Sequence, residues 1–134
     1  MNKRVTDLGK SAHEELDHAV SRLVGIIHGY PFSLSTEKNL QAEVEQVLTH
    51  EGIRFDREKY LSPQDIPDFF IEGGLVMECK MHGARKKNVY RQLCRYARYE
   101  EVNALILVSN LSMGLPPDLH TKPLYFASLS RGWM

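Results

Sequence analysis

The sequence predicts an α/β fold in which a mixed β-sheet is flanked by helices. Two long segments near the start carry apolar residues at helical spacing, several short apolar runs follow, and a third helical segment divides those runs into two groups. Strands that pair as neighbours and then resume after a helix give antiparallel and parallel pairs in one sheet. With 134 residues, 43% hydrophobic and 25% charged, the chain is predicted to form a single globular domain.

Apolar spacing predicts three helices. The first covers residues 5–28, ends near Gly29, and has a stripe made of Leu8, Ala12, Leu16, Ala19, Val20, Leu23, Val24 and Ile27. The second covers 37–50, where Ser35 or Thr36 can cap the start and Gly52 can close the end. The third falls within 82–101, and its apolar face consists of Val89, Leu93, Tyr96 and Ala97.

The predicted strands are short, apolar or alternating, and cover residues 53–61, 68–71, 75–81, 104–109 and 124–129. The sequence SPQDIP at 62–67 is a turn. Glu72-Gly73-Gly74 is predicted to be a three-residue loop that joins the second and third strands into a hairpin. The run at 104–109 is apolar throughout, which is typical of a strand buried on both faces.

Charge and cysteine content exclude several classes of protein. The formal net charge is zero, so any affinity for nucleic acid must come from local charge. Cys79 and Cys94 form no CxxC pair, which argues against a zinc ribbon or a disulfide framework and favours a reducing compartment. No apolar run has the length of a membrane span, and the start lacks a signal peptide's apolar core. We therefore expect a cytoplasmic protein with no membrane partner.

Three charged residues are predicted to gather on one face of the hairpin. Side chains alternate along the strand 75–81, so Val76, Glu78 and Lys80 share a face. The hairpin loop places Asp68 directly opposite Glu78 on the neighbouring strand. The alternative without a functional site is an exposed hairpin edge at which these charged side chains are solvated.

Two facing carboxylates repel each other, and a divalent cation between them would offset that repulsion. The predicted cofactor is therefore Mg²⁺ or Mn²⁺, held by Asp68 and Glu78. Lys80 lies on the same face, where an ammonium group can orient a nucleophilic water or stabilise developing phosphate charge.

A third acid is predicted on the second helix. Glu37 falls inside the arc of its apolar stripe, which consists of Leu40, Val44, Val47 and Leu48. Glu43 lies just outside the arc and is the substitute, and Glu45 points toward solvent. The alternative for Glu37 is an ordinary first-turn acid favoured by the helix dipole.

Basic residues cluster between positions 80 and 98, with no acid among them. The cluster consists of Lys80, Arg85, Lys86, Lys87, Arg91, Arg95 and Arg98. On a neutral chain this predicts a surface that binds the phosphate backbone of nucleic acid, and the alternative is a solvated helix face. Gln92 and Tyr96 are four residues apart and share a helix face, which brings the Gln92 amide near the predicted site.

Together these residues resemble the PD-(D/E)xK nuclease superfamily. The resemblance covers roughly residues 36–109 and rests on Pro67-Asp68, Glu78-Cys79-Lys80, Glu37 and the pair Gln92 and Tyr96, in the order helix, three strands, helix, strand. Within the superfamily, the chain is most similar to small VRR-NUC and Holliday-junction-resolvase-like nucleases, which are often encoded by phages.

The resemblance implies a restriction-endonuclease-like core at 36–109, with residues 1–30 as an extra N-terminal helix and 110–134 as a loop and last strand. It implies a Mg²⁺-dependent endonuclease that acts on duplex or branched DNA in a bacterial or phage-infected cell. Asp68, Glu78 and the Cys79 backbone carbonyl would bind the metal and Glu37 would complete its shell, while Lys80 would position water. The catalytic set is Glu37, Asp68, Glu78, Lys80 and Gln92, and the predicted nucleic-acid contacts are Arg85, Lys86, Lys87, Arg91, Arg95 and Tyr96.

Two other functions compete with this interpretation. One is a catalytically inactive nuclease fold that only binds nucleic acid, and the other is an interaction module whose basic helix binds an acidic partner. A homodimer is also predicted, because the apolar stripe of 5–28 exceeds what a small sheet can cover. This helix or an edge strand at 124–129 would form the contact.

Overall fold

The computed structural model describes residues 5–129, so the outermost parts of the predicted domain, 1–4 and 130–134, lie outside the described residues. The helices are α1 (Val5–His28), α2 (Glu37–His50) and α3 (Lys86–Ala97). The strands are β1 (Phe55–Arg57), β2 (Phe69–Ile71), β3 (Leu75–Lys80), β4 (Ala104–Ser109), β5 (Asp118–Leu119) and β6 (Lys122–Ser128). The prediction of an α/β fold is confirmed.

The six strands form one mixed, open sheet in the order β1-β2-β3-β4-β6-β5. The pairs β1–β2, β2–β3 and β5–β6 are antiparallel, and the pairs β3–β4 and β4–β6 are parallel. One face packs against α1 and α2, and the other packs against α3. β3 and β4 are therefore buried on both faces, which explains their nearly continuous apolar sequences.

The β2–β3 hairpin has the predicted register. Phe69 pairs with Met77, Ile71 pairs with Leu75, and the loop lies between them. Gly74 adopts a φ of +77°, and a Cβ there would lie 2.5 Å from the Glu101 carbonyl oxygen. Only glycine adopts this φ without strain and leaves room for the Glu101 carbonyl oxygen. Gly74 therefore sets the loop length and, through it, the register of the charged residues.

Both long helices have the predicted bounds, and Thr36 is the residue that caps α2. Its Oγ1 accepts a hydrogen bond from the Asn39 N–H at 3.0 Å. α3 is shorter than the predicted segment 82–101, because Gly83 adopts a φ of +97° and the helix begins only after Arg85.

The structure differs from the predicted strands in three places. The alternating segment 53–61 forms a strand only over Phe55–Arg57, because Glu58 adopts a φ of 52° and turns the chain away. β5 has two residues, too few to produce a periodic signal. β6 begins at Lys122, and β5 pairs with its start. The prediction of an edge strand at 124–129 is confirmed in part, since within the described residues β5 pairs only with Lys122 and Pro123, and residues 125–128 pair with β4 alone.

The apolar stripe of α1 is only partly used by its own sheet. Val20, Leu23 and Ile27 are buried in the core, while Ala12 and Ala19 are exposed. The side chain of Leu8 lies outside the described residues. The unused part of the stripe leaves the homodimer as a prediction, which light scattering at micromolar concentration can decide.

No helix within residues 5–129 is long and apolar enough to cross a membrane.

Candidate active site

Asp68 and Glu78 lie opposite each other where β2 begins and β3 ends. The Asp68 N–H donates to Glu78 Oε1 at 2.7 Å, and the Cys79 N–H donates to Asp68 Oδ2 at 2.8 Å. Each carboxylate thus binds the backbone of the opposite strand through one oxygen. This reciprocal arrangement orients both side chains, and it follows from the hairpin register.

Lys80 joins the pair from the end of β3. Its Nζ lies 3.7 Å from Glu78 Oε2, the oxygen of Glu78 that does not accept from Asp68. Glu78 is only 1% exposed, whereas the Lys80 side chain is 17% exposed. The ammonium group therefore sits between the buried carboxylate and the open surface. The structure brings these three predicted residues together.

Burial makes the negative charge of this pair costly. Desolvation, followed by the charge of Asp68, raises the pKa of Glu78 from its ordinary value of 4.5 to about 8. Desolvation also raises the pKa of Asp68, opposed by the hydrogen bond from Cys79 and the charge of Lys80. The folded chain thus holds two carboxylates that a nearby cation would stabilise in their ionised form.

We expect the metal-free protein to lose stability as pH rises. Because the pKa of Glu78 is higher in the folded state than in the unfolded state, its contribution is fully present below about pH 4.5 and is lost as pH rises through about 8. The loss is on the order of a few kcal/mol. Urea unfolding in EDTA at pH 5, 6.5 and 8 measures it, and Mg²⁺ added at pH 8 should restore stability.

Two variants identify the group responsible. Glu78→Gln should flatten the pH dependence between 5 and 8, because an amide does not titrate there. Glu72→Gln, at an exposed position in the hairpin loop, should leave it unchanged. A slope that survives in Glu78→Gln would assign the pH dependence to other groups.

Of the three acids considered on α2, Glu37 is the one placed at the site. It lines the same groove as Lys80, and its charge raises the pKa of both Asp68 and Glu78. Glu43 instead accepts a hydrogen bond from the Ser33 N–H at 3.1 Å. Glu45 forms an ion pair with Arg57 at 2.6 Å. The packing of α2 therefore identifies Glu37 as the acid from this helix at the site, which the position of the apolar stripe alone did not decide.

The site suits a hard divalent cation. Within residues 5–129, no three His, Cys, Asp or Glu side chains already converge into a cation cage. Mg²⁺ is usually bound by only one or two carboxylates and keeps several waters, so Asp68 and Glu78 would be enough protein ligands for this ion. Their oxygen atoms match its preference for hard ligands, and the buried charge of the pair fits a cation.

A groove of about 850 Å³ runs beside the carboxylates, between the end of β3 and α3. Its lining includes Glu37, Lys80, His82, Arg85, Asn88, Arg91, Gln92 and Arg95. Most of the predicted basic cluster is exposed along α3, and Lys86 and Lys87 extend it past the groove. Lys80, which lies 3.7 Å from Glu78, therefore belongs to a groove lined with positive charge, although the whole chain is neutral.

Tyr96 does not take part in this surface. It is 1% exposed, and its hydroxyl donates to the Ile66 carbonyl oxygen at 3.3 Å. The predicted contact between Tyr96 and nucleic acid is therefore corrected, because the residue points from α3 into the core. Gln92, one turn earlier, is half-buried and reaches the groove.

Sequence reasoning missed Asp65, which anchors the turn before Pro67-Asp68 to α3. Asp65 is 8% exposed and accepts hydrogen bonds from Arg95 Nε at 2.8 Å and the Tyr99 hydroxyl at 2.7 Å. Burial raises the pKa of Asp65, but these hydrogen bonds outweigh it and lower the pKa below its usual value. An Asp within SPQDIP is also an ordinary turn residue, so no local signal distinguished it.

Sequence reasoning also missed Arg57, whose guanidinium lies between α2 and the backbone of Asp68. A charged residue in an alternating strand predicts a solvent-facing side chain, and this one is partly buried.

Comparison of the chain with models of protein families, with curated proteins and with solved structures gives no match. Its function is therefore inferred from the site.

Proposed function

We propose that this protein is a Mg²⁺-dependent nuclease of the PD-(D/E)xK type that hydrolyses phosphodiester bonds in DNA. The observation that carries the proposal is the pair formed by buried Glu78 and half-buried Asp68, with Lys80 Nζ 3.7 Å from Glu78 Oε2. In this proposal, residues 36–109 form a restriction-endonuclease-like core. The proposed substrate class is duplex or branched DNA, and the open groove lined with basic residues supports binding of a phosphate backbone.

Asp68 and Glu78 would hold the metal ion, assisted by the Cys79 carbonyl and by Glu37 from α2. The bound ion supplies Lewis-acid chemistry and lowers the pKa of a water molecule. Lys80 orients that water and stabilises charge that develops on the phosphate. Gln92 can donate and accept hydrogen bonds from the groove wall, which helps to position the scissile phosphate.

Cleavage assays with several DNA forms test the proposal directly. The protein is incubated with supercoiled, linear, single-stranded and four-way-junction DNA, each with Mg²⁺, with Mn²⁺ and with EDTA. Cleavage that requires the cation supports the nuclease. Salt-sensitive binding without any cleavage would favour the catalytically inactive nucleic-acid binder, and no binding at low salt would favour a protein-interaction module.

The exposed basic residues of α3 are expected to contact the DNA backbone without reading bases. Replacing Lys86, Lys87 and Arg91 with Ala should weaken binding about equally across sequences. The slope of log K against log salt should flatten by up to about three units, about one for each lost phosphate contact.

A matched control removes positive charge elsewhere. Arg22 on α1 and Arg54 in the loop before β1 are both exposed, so replacing both with Ala should leave the salt slope unchanged. Loss of affinity for only some DNA sequences in the α3 variant would instead indicate base contacts.

A further inference from the structure

Arg57 links α2 to the strand segment that carries Asp68. Its Nη1 lies 2.6 Å from Glu45 Oε1, its Nη2 donates to Gln41 Oε1 at 3.1 Å, and its Nε donates to the Asp68 carbonyl oxygen at 3.0 Å. The donors of a guanidinium form a rigid planar fork, so three simultaneous hydrogen bonds fix the relative position of their acceptors.

We propose that Arg57 is a positioning residue that holds Glu37 and Asp68 in register at the active site. This inference rests on the proposed nuclease function and adds a residue that acts through its neighbours.

The helical side of this link follows from residue spacing. Glu37, Gln41 and Glu45 follow one another at intervals of four positions, so they lie on one face of α2. Arg57 binds Gln41 and Glu45. A helix is rigid over the roughly two turns from Glu37 to Glu45, so holding Gln41 and Glu45 also fixes the rotation that directs Glu37 into the groove.

The strand side of the link fixes the peptide of Asp68. Its carbonyl oxygen accepts from Arg57 Nε and from the Glu58 N–H at 3.2 Å, and its own N–H donates to Glu78. The Arg57 guanidinium also lies 4.6 Å from the centroid of the Phe69 ring. Asp68 is thereby constrained on both sides, and the Arg57 side chain also reaches α2.

A simple surface ion pair is the alternative, and such pairs contribute little to stability. The Arg57 and Glu45 side chains are 27% and 43% exposed, which fits that description in part. A purely structural pair would change unfolding but leave the folded enzyme's turnover and cation affinity intact. A positioning residue changes both, because partners of metal-binding groups typically alter affinity or activity by about 10- to 100-fold.

The experiment compares Arg57→Met, Arg57→Lys and the control Arg54→Met, an exposed arginine three residues earlier. Circular dichroism establishes folding, calorimetry gives the Kd for Mn²⁺, and DNA cleavage gives kcat and KM. Both Arg57 variants should lower kcat about 10- to 100-fold and weaken Mn²⁺ binding about tenfold or more. KM for DNA should stay within about threefold, and Arg54→Met should match the wild type.

Arg57→Lys separates geometry from charge, because an ammonium group retains the charge but cannot reproduce the fork. Full activity and Mn²⁺ affinity in this variant, or in a folded Arg57→Met, would overturn the inference. If Arg57→Met fails to fold, Glu45→Ala replaces it, and wild-type kcat and Kd there would be equally decisive against it.

Failure of the proposed function has a different signature. A wild-type protein that cleaves no DNA removes the nuclease proposal, and the Mn²⁺ affinities of the same variants then decide the positioning role. A wild type that neither cleaves DNA nor binds Mn²⁺ overturns both. Active wild type together with unaffected Arg57 variants overturns only the role of Arg57.

Discussion

Asp68→Asn and Glu78→Gln should each reduce the rate of DNA cleavage at least about a hundredfold, the order expected when a main catalytic group is lost. Both substitutions keep the shape of the side chain, and its amide oxygen can still accept the backbone hydrogen bond that Asp68 or Glu78 accepts. They remove the negative charge that would bind the cation. A fall in activity with retained folding therefore reports on charge at the site. Initial cleavage rates in Mg²⁺ and in Mn²⁺ measure it.

The matched control for this experiment is Asp56→Asn. Asp56 is exposed on the neighbouring strand β1, so its replacement should leave cleavage unchanged. Wild-type cleavage that continues undiminished in EDTA, or wild-type activity in both site variants, would contradict the proposed role of the pair.

Lys80→Met is expected to abolish turnover, with a loss of about a hundredfold or more, while cation binding is largely retained. A protonated lysine has no lone pair to donate to a metal ion, so its loss does not remove a ligand. It does remove the ammonium group 3.7 Å from Glu78 Oε2, at the boundary between the buried pair and the groove. Single-turnover cleavage together with calorimetric titration of Mg²⁺ separates the two effects.

Lys59→Met provides the comparison, because Lys59 lies beyond β1 and pairs with Glu101. It should preserve both turnover and Mg²⁺ affinity. If a folded Lys80→Met loses Mg²⁺ binding, the division of roles between the carboxylates and the lysine is wrong.

Much of the fold follows from local sequence. The bounds of α1 and α2 match the predicted segments, because helical spacing is a property of consecutive residues. The hairpin register follows from a three-residue loop in which Gly74 is required. The facing positions of Asp68 and Glu78, and the placement of Lys80 beside them, then follow from strand alternation.

Contacts between distant segments could not be predicted in this way. The strand β5 is too short to be periodic, and its pairing with β6 depends on where the intervening loop folds back. Tyr96 lies on the apolar face predicted for α3, and the contact of its hydroxyl with the Ile66 carbonyl oxygen depends on how that face packs against a distant segment. Asp65 is far along the chain from Arg95 and Tyr99, so its two hydrogen bonds have no local signature.

Short-range spacing along the chain thus specifies the helices, the hairpin and the meeting of two carboxylates with a lysine, because each depends on residues close together in the sequence. The identity of the α2 acid at the site is set instead by tertiary packing, since it depends on how the helix rotates against the sheet. Arg57 binds Glu45 and Gln41 on one side and the Asp68 carbonyl on the other. Helical periodicity cannot specify that rotation, because it is set by contacts between α2 and the strand ends.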